Sequence, residues 1–224
     1  MKPTKASRKA RVFLVDDHPI VRRGLQLLIG LESDLSVCGE ADNGPAALDQ
    51  IQKLKPDLVV VDLALRESSG LELVKTLRVQ CPEIKVLVFT MHDEPLYAER
   101  ALKAGAHGYV TKEEGAEKAT AAIRQVLQGK PYLTGRLAER VLETVTGFAK
   151  SKTAGTVESL SDRELEVLEL IGRGLGSTEI AQRLKLSVKT IESHREHMKA
   201  KLGLHRATEL VQYAFNWAQR ERRI

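Results

Sequence analysis

Five short apolar runs, VFLV (12–15), LSVCGEA (35–41), LVVV (58–61), VLVF (86–89) and GYV (108–110), alternate with stretches of helical periodicity. No other feature of the chain constrains its fold as tightly. A run such as LVVV lacks the polar residues that a half-exposed strand shows at every second position, so as a strand it needs cover on both faces. A parallel sheet between two helical layers supplies that cover, and segments 19–31, 45–54, 70–79, 95–104 and 115–128 read as the helices. Three of these open on proline (Pro19, Pro45, Pro95), whose missing N–H costs nothing in a first turn. The expectation for residues 11–129 is an α/β domain with a doubly wound, five-stranded parallel sheet.

In such a fold the carboxyl ends of the strands open on one edge, where ligands bind. Asp16 and Asp17 follow the first run, Asp62 the third, Thr90 the fourth, and Lys112 lies just past the fifth. Phosphoryl transfer to a carboxylate needs a nucleophile, a hard cation and fixed positive groups on the equatorial oxygens. Asp62 has the position of the nucleophile. Asp16, Asp17 and Asp62 are the candidate Mg²⁺ ligands, with the backbone carbonyl of Ala64 as a further oxygen. Thr90 and Lys112 are candidates for holding phosphoryl oxygens. Any one of these residues alone reads as readily as a cap or a solvated loop residue; their convergence on one edge carries the assignment.

From Leu160 onward the pattern is purely helical. Ser161 followed by Glu164 is a capping box, and Leu165, Val167, Leu168, Leu170 and Ile171 give the first helix its apolar face up to the glycines at 172, 174 and 176. Ser177 or Thr178 then caps a short helix through Leu184. Ser187 caps a longer one from Val188 to about Leu202, and residues 207–217 make a fourth. A short helix, a tight turn and a long basic helix are helix-turn-helix anatomy, which predicts a small all-α DNA-binding domain over residues 159–219. Residues 183–206 hold seven Lys and Arg against two acids. Lys189, Thr190, Arg195, Lys199 and Lys201 are the candidates for phosphate contact, with Ser187 at the helix start, while Glu192, Ser193 and Glu196 lie near the groove-facing turn. Either glutamate reads as an acceptor for a cytosine amine or as an intrahelical partner of Lys189, Arg195 or Lys199, the second being slightly favoured.

Charge supports the division. Residues 11–129 carry 14 basic against 18 acidic side chains and residues 159–224 carry 12 against 9, so an acidic front half precedes a basic back half. Residues 130–158 between them include the linker-like stretch KSKTAGTVES, and residues 132–148 carry a stripe (Leu133, Leu137, Val141, Leu142, Val145) that predicts a connecting helix. Cys38 and Cys81 form no CxxC and no disulfide framework, which suits a reducing cytoplasm. The apolar run before Asp16 is too short for a secretory core or a membrane span.

The pair Asp16-Asp17, Asp62 followed eight positions later by Gly70, Thr90, Tyr109 and Lys112 resemble the receiver domain of two-component response regulators, which is flavodoxin-like in fold. That resemblance implies that Asp62 accepts a phosphoryl group from a sensor histidine kinase, and that Thr90 and Tyr109 act as a switch pair; Tyr109 has the alternative reading of an ordinary core aromatic. The segment from Leu160 to Ala214 resembles the LuxR-type helix-turn-helix, through residues that include Glu164, Gly174, Glu179, Ile180, Ala181, Thr190, Ile191, His194, Lys201 and Gly203. Receiver and helix-turn-helix in this order are similar to the NarL/FixJ subfamily. The implied function is a transcription regulator whose partners are promoter DNA, a second copy of the chain when phosphorylated or DNA-bound, and RNA polymerase, with no enzymatic turnover beyond phosphorylation and dephosphorylation of Asp62. Some positions depart from the pattern. Leu65-Arg66 stands where Met-Pro is usual, no proline follows Lys112, and Ser177-Thr178 replaces Asn-Lys. Arg66 puts a cation beside the pocket, and His92 reads either as a control on access of the hydrolytic water or, the favoured reading, as a solvated loop residue. A haloacid-dehalogenase-type enzyme needs a second aspartate two positions after the first, where this chain has Ala64. A phosphorylation-independent DNA-binding protein with a vestigial receiver is the remaining alternative.

Overall fold

The structure is a computed structural model that describes residues 8–65, 68–92, 95–133, 138–139 and 155–221. These form two compact units, one built on most of residues 8–133 and the other on 155–221.

In the first unit, β1 (Ala10–Val15), β2 (Leu35–Ala41), β3 (Leu58–Val61), β4 (Lys85–Thr90) and β5 (Gly108–Thr111) form one parallel sheet in the order β2-β1-β3-β4-β5. The switch in strand order at β1 and β3 is that of a doubly wound fold. Helices α1 (Pro19–Gly30), α2 (Gly44–Leu54), α3 (Gly70–Gln80), α4 (Pro95–Ala104) and α5 (Ala116–Leu127) connect the strands. Val12, Leu14, Leu58, Val60, Leu87, Phe89 and Val110 pack with Leu25 and Ile29 of α1 and with Ala119, Ala122, Ile123 and Val126 of α5. Strand alternation sends Phe13, Val59, Val61, Val88 and Tyr109, all buried, to the opposite face. The unbroken apolar runs therefore do have cover on both sides.

One expectation changes at the sheet edge. Tyr132, read as the start of a helix, runs extended beside β5: its amide donates to the His107 carbonyl at 3.2 Å and its carbonyl accepts from the Tyr109 amide at 2.8 Å. An edge strand offers unpaired backbone groups, and satisfying them overrides the helical pattern. The rest of the expected helix over 132–148 lies outside the described residues, except for 133, 138 and 139.

The second unit contains α6 (Asp162–Gly172), α7 (Ser177–Leu184), α8 (Val188–Leu202) and α9 (Ala207–Glu221). The capping box on α6 is present, with the Ser161 amide donating to Glu164 Oε2 at 2.7 Å and the Glu164 amide to Ser161 Oγ at 3.3 Å. Helix α7 is capped at Gly176 rather than at Ser177 or Thr178: the Gly176 amide donates to Glu179 Oε2 at 2.8 Å, which draws both hydroxyl residues into the first turn. Ser187 caps α8 through its Oγ, which accepts from the Thr190 amide at 3.0 Å. Leu210, Ala214 and Trp217 of α9 complete the core, while Val211 and Phe215 stay exposed.

Gly70 fixes the approach of α3 to the end of β3. A Cβ there would lie 2.0 Å from the Asp62 carbonyl oxygen and 2.7 Å from Leu63 Cα, both backbone atoms that cannot swing aside. Gly70→Ala is therefore expected to destabilise the α/β unit by about 3 kcal/mol, read as a lower urea midpoint; an unchanged midpoint would show that this loop yields.

Candidate functional site

Parallel pairing brings the strand ends into line. Val15 lies opposite Val61, Val61 opposite Val88, and Thr90 opposite Thr111, so Asp16, Asp62, Thr90 and Lys112 all leave the sheet at one edge. Asp16, Asp17 and Asp62 are buried, with 3, 9 and 2 % of their surface exposed. Lys112 Nζ sits between two of them, 2.6 Å from Asp16 Oδ2 and 2.6 Å from Asp62 Oδ2. The other oxygen of Asp62 accepts from the Ala64 amide at 3.2 Å.

The electrostatics of this pocket are unbalanced. Burial pushes the Asp16 carboxyl above its usual range and the Asp62 charge adds to that, against the opposing pull of Lys112. Burial by itself lowers the Lys112 ammonium, but the Asp62 charge and hydrogen bonds to both aspartates outweigh it and hold the group above its ordinary value. Three buried carboxylates gather around the one ammonium of Lys112, an excess of acid in a place water barely reaches. A divalent cation balances that excess. The ligand atoms of Asp16, Asp17, Asp62 and His18 all lie within 4.8 Å of one another, and the carboxylate oxygens are the hard donors Mg²⁺ prefers.

Reasoning from sequence passed over several groups around this pocket. His18 Nδ1 lies 2.8 Å from Asp17 Oδ1 and 3.3 Å from Asp16 Oδ1. Arg22 Nη1 donates to the Asp16 carbonyl at 2.6 Å, pinning the loop that carries both acids. His92, read as a solvated loop residue, links the two switch candidates through its backbone: its amide donates to Thr90 Oγ1 at 3.5 Å, and its carbonyl accepts from the Tyr109 hydroxyl at 2.7 Å. Thr90 and Tyr109 are both fully buried. The spacing Thr90-x-His92 is visible in the sequence, but a link made by backbone atoms is not. Arg66 lies outside the described residues.

In the second unit the candidate DNA residues separate into two sets. Ser187, Lys189, Glu192, Ser193 and Glu196 are exposed. Arg195 and Lys199 lie low, with side chains 14 and 15 % exposed; Arg195 Nε is 3.8 Å from Glu192 Oε2, and Lys199 Nζ is 2.9 Å from Glu196 Oε1. The glutamates thus have the intrahelical partners expected of them. Lys201 reaches back to Glu164 Oε2 at 2.6 Å, where the Glu164 side chain is almost fully buried. Its ammonium ties the end of α8 to the start of α6, a structural role the sequence did not display.

The family description for the response regulator receiver domain matches residues 12–124, and that for bacterial regulatory proteins of the luxR family matches residues 158–214. The chain belongs to the LuxR-type response regulators. Oxygen regulatory protein NreC of Staphylococcus aureus is 36 % identical over 208 residues, covering 91 % of this chain and 96 % of NreC. Among solved structures, RcsB of Salmonella typhimurium aligns with a TM-score of 0.71 at 26 % identity, covering 93 % of this chain and 98 % of RcsB. RcsB of Salmonella enterica serovar Typhimurium bound to promoter P1flhDC in the presence of the phosphomimetic BeF₃⁻ aligns with 0.67 at 25 % identity over 93 % of this chain and all of that one. The regulator therefore joins a two-component receiver to a DNA-binding output domain, and receiver domains bind Mg²⁺ at this acidic pocket.

The pair Glu164–Lys201 makes the output domain sensitive to acid. Burial raises the Glu164 carboxyl, but its bonds to Lys201 and to the Ser161 backbone and hydroxyl outweigh that and hold it below its ordinary 4.5. A depressed carboxyl contributes stability above its unfolded value and loses it as pH falls through the folded one. Glu164→Gln is expected to cost about 2 kcal/mol near neutral pH. Trp217, the sole tryptophan, reports unfolding of this unit. The gap between wild type and variant should close as the pH drops below 4.5; a gap independent of pH would contradict the ion pair.

Proposed function

We propose that Asp62 is the phosphoacceptor of this regulator and that its phosphorylation controls promoter binding by α8. The observation that carries the reading is Lys112 Nζ held 2.6 Å from both Asp62 and Asp16, in a pocket that buries three carboxyl groups. An Asp62 oxygen attacks the phosphorus of a phosphohistidine on a sensor kinase, or of acetyl phosphate. The P–N or P–O bond to the donor breaks and an acyl phosphate remains. Lys112 then exchanges a carboxylate oxygen for a phosphoryl oxygen, and the Thr90 hydroxyl donates to another. Asp16, Asp17, Asp62 and the Ala64 carbonyl would hold Mg²⁺, which when bound offsets the charge of the entering group. Hydrolysis reverses the modification, and no other substrate turns over.

In the proposed division of labour, residues 11–129 sense phosphate, 130–158 connect, and 159–219 bind DNA. Tyr109 passes the change at Thr90 to the surface beside β5. Ser187, Lys189, Thr190, Arg195 and Lys199 contact phosphates, Glu192, Ser193 and Glu196 face base edges, and Lys201 stays with Glu164. RcsB on its promoter with a phosphomimetic, and two RcsB dimers bound to two parallel DNAs, support promoter DNA and a homodimer as the working state. A cytoplasmic location fits these partners, and no helix among the described residues is long and apolar enough to cross a membrane.

Footprinting on promoter fragments with and without acetyl phosphate tests the control. Wild type should gain at least about tenfold in affinity on phosphorylation, a change of about 1.4 kcal/mol, and Asp62→Ala should gain nothing. Equal affinity for both proteins in both conditions would instead favour a vestigial receiver. Lys199→Ala should weaken binding to all sequences alike and reduce the slope of log affinity against log salt by about one. Identical slopes for wild type and variant would remove Lys199 from the phosphate contacts.

A further inference from the structure

The outward face of α8 carries an unexpected charge for a helix that meets DNA. Burial of Ile191, Met198 and Leu202 turns Lys189, Glu192, Ser193, Glu196 and Ala200 to solvent. Two carboxylates four residues apart occupy the middle of that face, with side chains 53 and 67 % exposed, while Arg195 and Lys199 lie back against the domain. A rise of about 1.5 Å per residue separates Glu192 from Glu196 by about 6 Å along the helix, more than the about 3.4 Å between stacked base pairs, so the two carboxylates address different base pairs.

A carboxylate only accepts hydrogen bonds. In the major groove guanine presents acceptors at N7 and O6 and thymine an acceptor at O4, so both repel it. Cytosine presents its N4 amine, a pure donor. Adenine also has an amine, at N6, but places the N7 acceptor beside it, against the second carboxylate oxygen. Cytosine is therefore the base these side chains favour. Their pairing with Arg195 and Lys199 does not prevent this. An exposed ion pair is worth little, less than a well-formed contact to a base, and Lys199 engages one oxygen of Glu196. The pairing also offsets the repulsion that two bare carboxylates would meet between two phosphate strands.

We infer that Glu192 and Glu196 make this regulator select half-sites with cytosine at two positions, one set by each carboxylate. The inference rests on α8 being the recognition helix proposed above. The test is selection from a randomised duplex library by the full-length, beryllofluoride-treated protein as wild type, Glu192→Gln and Glu196→Gln. Wild type should enrich a motif with both cytosines. Each glutamine variant should lose about tenfold of the cytosine preference at one position only and move that position toward adenine, which glutamine pairs through N6 and N7. One motif shared by all three proteins, or a wild-type motif lacking the two cytosines, overturns the inference while leaving α8 as the reader. Failure of wild type to enrich any motif overturns the recognition-helix reading itself.

Discussion

The contact on which the rest of the regulator depends is the ammonium of Lys112 between Asp16 and Asp62. It exists only because three parallel strands end at the same edge. Reversing one strand, or slipping its register by one residue, would send one partner to the other end or the other face of the sheet. The unbroken apolar strands, their cover by α1 and α5 on one side, and the absence of a Cβ at Gly70 where α3 meets the Asp62 carbonyl all serve that convergence. The pocket is costly to keep: a buried carboxylate whose charge is only partly matched destabilises the fold. In the proposed mechanism that excess of acid draws in the cation, and the cation in turn lets the anionic phosphoryl group approach.

The output domain uses the same pair of residue types to the opposite end. Glu164 is as buried as Asp62, yet its carboxylate meets a single ammonium and the amide of Ser161, the N-cap of its own helix. A carboxylate matched in this way is satisfied and locks the start of α6 to the end of α8. In the proposed mechanism one ion pair exchanges partners, while the other holds still. The difference lies in the number of acids each lysine has to serve.

Much of this was legible in the residues, and the reasons are physical. Strand runs as continuous as LVVV leave no doubt about two-sided burial, and polar residues placed where such runs stop mark the ligand-binding edge, so Asp16, Asp62, Thr90 and Lys112 could be assembled from order alone. The capping box of α6 and the Ser187 cap of α8 were equally readable because they are local. What escaped were contacts that local pattern does not encode. Tyr132 obeys the free edge of β5 rather than its own helical stripe. Gly176 caps α7 through the carboxylate of Glu179, and no hydroxyl is needed. Lys201 looks like any other cation of a basic helix until the fold brings Glu164 to it across 37 positions.

The link through His92 gives the proposed mechanism a route by which a charge at Asp62 reaches the rest of the receiver. Thr90 Oγ1 receives the His92 amide at 3.5 Å, a long and weak bond, whereas Tyr109 donates to the carbonyl of the same residue at 2.7 Å. In the proposed mechanism the Thr90 hydroxyl turns to a phosphoryl oxygen, a stronger acceptor because it is charged. The weak contact is surrendered at little cost and the strong one is not, so displacement of the His92 segment carries the Tyr109 ring with it. Tyr109 is fully buried in a close-packed core, where a side chain of this size has few resting places. In the proposed mechanism such a ring moves between discrete positions rather than by degrees, which would convert the filling of one pocket into a change of state.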